Sequence, residues 1–249
     1  LDTIANLAQL LPQGLFTLDG VEQYVRHVLS RSGRSNDFRR LRRRLLIPST
    51  ILDSGAIHVF GGATEETTPI SMAVAASAAI PLVYQPVRIA GVDYIDAAVT
   101  KTAHAGLAVE QGAGLVLVVN PLRPVVLDPT GESRVRDGGP FAVAGQALRV
   151  ALQRRLHEGL RRHAFQHPDT DILLFEPYER DLHLFDYHLM TYSLWHEVIR
   201  RGYRTTIKVL LGDYERYAAL FARHGISLVG RPLVERRAQR WGQGVRRAA

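Results

Sequence analysis

The stretch Pro69–Val99, PISMAVAASAAIPLVYQPVRIAGVDYIDAAV, decides how this chain is read. It opens on Pro69, a residue that suits the first turn of a helix, and continues through small residues, Ala73 to Ala79, into Ile80-Pro81. An extended segment follows, then a tight turn at Gly91. A second apolar segment, Val92 to Ile95, ends on one carboxylate, Asp96, with Ala97-Ala98-Val99 behind it. A solvated surface charge would be out of place among such neighbours. Strand ends that deliver a single acid are places where chemistry is done. Taken alone, Asp96 reads first as a cap for a helix starting near Lys101. The two roles are compatible.

Outward from this stretch, Leu45–Leu52 reads as a strand and Ala56–Phe60 as another, joined across Asp53-Ser54-Gly55. Phe38–Arg44 reads as a basic helix. Val21–Ser30 reads as a helix capped by Asp19, with Val21, Tyr24, Val25, Val28 and Leu29 as its apolar face. Leu1–Leu11 is a further amphipathic helix ended by Pro12-Gln13-Gly14. On the C-terminal side, Ala103–Gln111 is a helix closed by Gly112. Leu115–Val119 is a continuous apolar run, the pattern of a strand buried on both faces in a parallel pairing. Pro124–Pro140 is a long loop or lid. Phe141–Phe165 is a long helix with Val143, Leu148, Ala151, Leu152 and Leu156 on one side. Ile172–Phe175 is a short strand, and Leu184–Arg201 and Asp213–Arg223 are helices. Arg231–Ala249 is a basic, frayed tail. Alternating strands and helices predict an α/β layered sheet.

The quoted stretch resembles the patatin-like phospholipase family. The residues that carry the resemblance are Ala73-Val74, Ala76-Ser77, Ile80-Pro81, Pro86-Val87, Gly91, Tyr94 and Asp96. They follow the family pattern A-V-x-A-S-x-A-I-P, then P-V, then G-x-x-Y-x-D. Asp53-Ser54-Gly55 with Val59-Phe60-Gly61, and AVEQGAGLVLVVNP within Leu107–Pro121, extend it, so that residues 11–121 resemble the family well and residues 122–249 loosely. The resemblance implies a three-layer α/β/α fold with a mostly parallel central sheet, N-terminally truncated. It also implies a lipid or phospholipid acyl hydrolase that uses a serine and an aspartate alone, the carboxylate taking the hydroxyl proton directly. Asp96 is then the catalytic base. Burial suits that role, because it raises a carboxylate pKa.

Two residues depart from the family pattern: Ala97 stands where it has glycine, and His104 where it has proline. Ala97 carries a Cβ that resists positive φ, so a different turn is expected after Asp96. A larger departure is the nucleophile. No two of the 21 glycines lie four apart, so G-x-S-x-G occurs nowhere. The expectation is therefore the C-terminal portion of an enzyme whose serine and oxyanion loop lie outside this chain, inactive by itself. Its parts are residues 1–121 from the catalytic domain, 122–230 as a helical and mixed extension on the same domain, and 231–249 as a tail. The alternative is a non-catalytic module of the same family that binds a membrane or a partner protein.

Composition bounds the partners. No run reaches the roughly 18 apolar residues of a membrane span, and no signal peptide is visible, so the cytoplasm or a membrane periphery is the expected location. Cysteine is absent, which excludes disulfides, thiol nucleophiles and thiolate metal sites. The net charge is +7, and of the 31 Lys and Arg only Lys101 and Lys208 are lysine. The arginines cluster at 39–44, at 154–162 and at 236–247. Solvated helix faces account for most such clusters. An anionic membrane surface is the next reading, and nucleic acid the last, since no nucleic-acid-binding motif accompanies the charge. No cofactor and no metal is expected.

Among other polar residues, His58 reads as a packed or surface histidine, and Asn120 as a turn residue. Ser77 lies inside a helix rather than on a strained turn, so packing is its expected role. His157, His163 and His167 give a weak metal signal without a third ligand. His183 and His188, with Asp181 and Asp186, are a possible metal or acid–base cluster in a loop. Phe185, Tyr187, Leu189, Met190, Tyr192 and Trp195 are core residues or the lining of a lipid channel.

Overall fold

A computed structural model of the chain describes residues 14–62, 67–127, 134–177 and 195–243. The chain divides into two compact units, Leu1–His104 and Ala105–Ala249. The division falls before Pro121, inside the stretch that resembles the family.

The first unit is built on two hairpins. Strands β1 (Ile47–Ile51) and β2 (Ile57–Phe60) pair antiparallel, Ile47 opposite Phe60 and Thr50 opposite Ile57. Gly55 holds their turn at φ +69°. Strands β3 (Val87–Ile89) and β4 (Val92–Asp96) are joined by Ala90 and Gly91 alone, both at positive φ (+49° and +85°). That is the twist-matched geometry of a two-residue hairpin. Strands β1 and β4 pair antiparallel, Ser49 opposite Asp96, which gives one four-stranded sheet in the order β2-β1-β4-β3.

The expected mostly parallel central sheet is thus corrected. Tight hairpin turns force neighbouring strands to run in opposite directions, whereas a parallel pair needs a long crossover. Among the described residues one such crossover is present, and it lies in the second unit.

Helix α1 (Asp19–Leu29) and helix α2 (Ile70–Ser77) pack together in the first unit. Asp19 is the first residue of α1, not its cap; Leu18 holds the cap position and no side chain caps the helix. The acids Asp19 and Glu22 of the first turn still oppose the helix dipole favourably. Tyr24, expected on the apolar face, is 62% exposed. Phe38–Arg40 forms a single 3₁₀ turn, shorter than the expected helix, with Asp37 as its side-chain cap. Alanines at 73, 75, 76 and 79 are fully buried. Their small side chains let α2 lie close on β1 and β4. Ile47, Phe60, Ile70 and Tyr94 complete that core, with the Phe60 and Tyr94 rings 5.2 Å apart.

In the second unit, helix α3 (Ala105–Glu110) ends at Gly112, whose φ of +83° is the left-handed C-terminal cap expected of it. Strands β5 (Leu115–Val119) and β6 (Asp171–Phe175) pair in parallel, Leu115 opposite Asp171 and Val119 opposite Phe175. The crossover between them contains helix α4 (Gly139–Gln166), with Pro140 in its first turn. The parallel pairing was legible in the sequence; the two-sided burial was not, since Leu117 is 51% and Val119 74% exposed. Only Val116 and Val118 are buried. On α4, Leu152 and Leu156 are buried as expected, but Val143 and Ala151 lie on the outer face. Helices α5 (Trp195–Gly212), α6 (Tyr214–Arg223) and α7 (Arg231–Gln243) follow. The tail assignment is corrected accordingly. Residues 231–243 are helical and anchored by buried Val234, and residues 244–249 lie outside the described set. Also outside it are the expected helix Leu1–Leu11, the middle of the Pro124–Pro140 loop, the His183/His188 cluster and the aromatic group 185–192.

Candidate functional site

Asp96 ends β4, and the chain turns immediately into a 3₁₀ turn, Ala97–Val99. Its backbone is held from two sides. The Asp96 amide donates to the Ala79 carbonyl at 2.9 Å, which ties the strand end to the end of α2. The Thr50 hydroxyl lies 3.3 Å from the Asp96 carbonyl and 3.2 Å from the Thr100 hydroxyl, which itself donates to the Ala97 carbonyl. One residue back, fully buried Ser49 donates to the Ile95 carbonyl at 2.7 Å, with the Ala76 carbonyl 3.2 Å away. Two hydroxyls on β1 therefore fix the position of the acid without touching its carboxylate.

The carboxylate uses one oxygen locally: Oδ1 accepts from the Ala98 amide at 2.7 Å. The expected capping role is present, on the short 3₁₀ turn rather than on a helix near Lys101. The other oxygen, Oδ2, accepts no hydrogen bond from any described residue. Burial pushes the Asp96 carboxyl above the usual range, and the Ala98 N–H bond opposes that only in part. The group is half-buried and, among the described residues, hydrogen-bonded through Oδ1 alone. A carboxylate so placed has a raised proton affinity and an oxygen to offer.

Ala97 fits this turn without strain. Among the described residues the non-glycine residues at positive φ are Leu82 and Ala90, so the backbone after Asp96 does not require glycine. His104 lies nearby. Its Nε2 is 3.4 Å from the Ala97 carbonyl. Burial lowers its proton affinity and Lys101 adds to that, while the bond to Ala97 works the other way.

Within the same unit, neither His58 nor Ser77 makes a hydrogen bond to Asp96. His58 packs edge-on against Phe60 with ring centres 4.4 Å apart, a core contact as expected. Ser77 is the half-buried last residue of α2. His163 and His167 stack with ring centres 5.9 Å apart, and no group of three metal-ligating side chains occurs among the described residues. Asn120 is a turn residue and more: its Oδ1 accepts from Leu122 N–H, and its amide donates to Glu176 Oε1 at 2.7 Å, tying the ends of β5 and β6.

One cluster escaped sequence reading. Glu22, 6% exposed, accepts the Ser71 hydroxyl at 2.7 Å and two bonds from Arg26 at 2.9 and 2.6 Å. Asn36 brackets Ser71 from the other side, donating to its hydroxyl and accepting from its amide. The signal was there: Glu22, Val25 and Leu29 share one face of α1 at i, i+3 and i+7. Glu22 and Arg26 also line a cavity of about 350 Å³ between α1, α2 and β3. Asp96 does not line it.

These features define a mixed α/β unit with a desolvated acid at a strand end, backed by a small-residue helix. The model of the family described as Patatin-like phospholipase matches residues 3–109. Over that stretch, less than half of its length, the chain is similar to the patatin-like phospholipases. No curated protein matched the chain. Among the described residues no helix is long and apolar enough to cross a membrane.

Proposed function

We propose that this chain supplies the general base of a lipid acyl hydrolase, and that Asp96 is that base. The observation that carries the reading is the carboxylate itself: desolvated, fixed through Oδ1 by the Ala98 N–H, and with Oδ2 unbonded to any described residue. The nucleophile is a serine outside residues 1–249, since the chain has no G-x-S-x-G. In the acylation step the serine Oγ attacks the ester carbonyl while its proton passes to Asp96 Oδ2. The tetrahedral intermediate then collapses, and the protonated Asp96 gives that proton to the departing alkoxide. Water then attacks the acyl carbonyl and loses a proton to the same carboxylate; the second tetrahedral intermediate collapses, Asp96 returns that proton to the serine Oγ, and the carboxylic acid leaves. Each turn returns Asp96 to its starting state, so a single carboxylate suffices.

The absence of the nucleophile elbow also favours a second reading, a non-catalytic module that retains the family fold. The reading frame that encodes the chain separates the two. The enzyme reading predicts a glycine-rich loop and G-x-S-x-G upstream, and no turnover of a short-chain nitrophenyl ester by the chain alone. A frame lacking both motifs would overturn it in favour of the module.

A further inference from the structure

The outer face of α4 carries charge and apolar surface that the fold does not use. Over Val143–Phe165 the buried seam is Leu152 and Leu156, with Gly145, Leu148, Gly159 and His163 partly covered beside it. At 100° per residue the opposite side presents Val143, Ala147, Val150, Arg154, Arg161 and Phe165, all exposed. Val143 is 48%, Val150 39% and Phe165 88% exposed. Arg154, Arg161 and the adjacent Arg162 make no ion pair or hydrogen bond with any described residue. Arg155 flanks them, and Glu158 is the one acid on the same face. Along the helix the six positions span roughly 33 Å.

We propose that this face docks on an anionic lipid bilayer, Arg154, Arg161 and Arg162 meeting the headgroups and Phe165 entering the interface. Charge complementarity selects the occupant. Basic side chains are drawn to an anionic lipid surface, and an exposed aromatic ring beside them adds apolar contact at the headgroup level. A duplex nucleic acid would use the charge but leave Phe165 and the valines against water. The other arginine clusters are less suited. Arg39 is already engaged by the Asp37 carboxylate through two bonds, which hold that acid down at about 2.

The test is vesicle sedimentation with phosphatidylcholine alone and with phosphatidylglycerol added, beside a short DNA duplex at the same salt. The chain should bind the anionic vesicles, ignore the neutral ones and release as salt rises. R154Q/R161Q/R162Q should weaken binding about a hundredfold, since each basic group at such a surface contributes about 1 kcal/mol, a factor of about five. F165A should weaken binding at high salt as well as low, where screening leaves the apolar contact. Circular dichroism melts of both variants should match the parent, because every changed side chain is exposed. Failure to bind anionic vesicles, binding unchanged in the triple variant, or duplex bound more tightly than vesicles would each overturn the proposal. None of these readouts depends on Asp96 or on ester turnover.

Discussion

Replacing Glu22 with alanine isolates the polar latch between α1 and α2. Ser71 is fully buried, and its hydroxyl donates to Glu22 at 2.7 Å. Removing the acceptor strands that hydroxyl, at about 1–3 kcal/mol. Losing one buried methylene adds about 0.8 kcal/mol. The Arg26 ion pair adds little, because the guanidinium side chain is 58% exposed and returns to water. Exposed pairs contribute about 0–1 kcal/mol. Glu22→Ala should therefore cost about 2–4 kcal/mol and Arg26→Ala no more than about 1 kcal/mol. Glu22→Gln, which keeps an acceptor for Ser71, should fall between them. Urea unfolding followed by circular dichroism reads all three, with midpoints shifting and m-values unchanged. Equal losses for Glu22→Ala and Arg26→Ala would refute the reasoning, because the surface ion pair would then be the stabilising element.

Gly61→Ala should destabilise by more than the roughly 1–2 kcal/mol of a left-handed backbone, since φ is +78° and the new Cβ would collide with the Leu45 carbonyl oxygen; thermal melting checks it. Gly20→Ala, in α1 with nothing within 4 Å, should instead stabilise by about 0.5–1 kcal/mol in the same assay. His104 has a lowered proton affinity in the folded state, so the folded chain binds fewer protons than the unfolded one. Its contribution is present above 6.5 and lost as pH falls toward the folded value, and His104→Gln should flatten the pH dependence of the urea midpoint there. Asp96 has the opposite sign. Its raised carboxyl costs stability as pH rises above 3.8, so Asp96→Asn should match or exceed the parent in stability at neutral pH, the advantage vanishing in acid.

Local chemistry was legible in the sequence wherever a residue type answers a local demand. Gly91 between two short apolar runs marked the β3–β4 hairpin, Gly112 marked a helix end, and the apolar run at 115–119 marked a parallel strand. What the residues do not encode locally is which strand neighbours which. The β1–β4 pairing joins segments more than forty residues apart, and with it came the antiparallel direction that the family resemblance had not implied. The α4 face was misassigned at Val143 and Ala151 because a 28-residue helix with apolar residues on several sides does not declare which stripe the sheet covers. Asp96 was visible through its neighbours. Its supports, Ser49 and Thr50, were not, because a hydroxyl in a strand carries no signal until the facing strand is known.

The central claim is that Asp96 carries a proton for ester cleavage. Its most direct test is kcat for a nitrophenyl ester, measured on the product of the complete reading frame, the parent and Asp96→Asn side by side. The variant should remain folded, keep its melting temperature or raise it, and lose about 10²–10⁴-fold in kcat. Undiminished turnover in a well-folded Asp96→Asn protein would contradict the account.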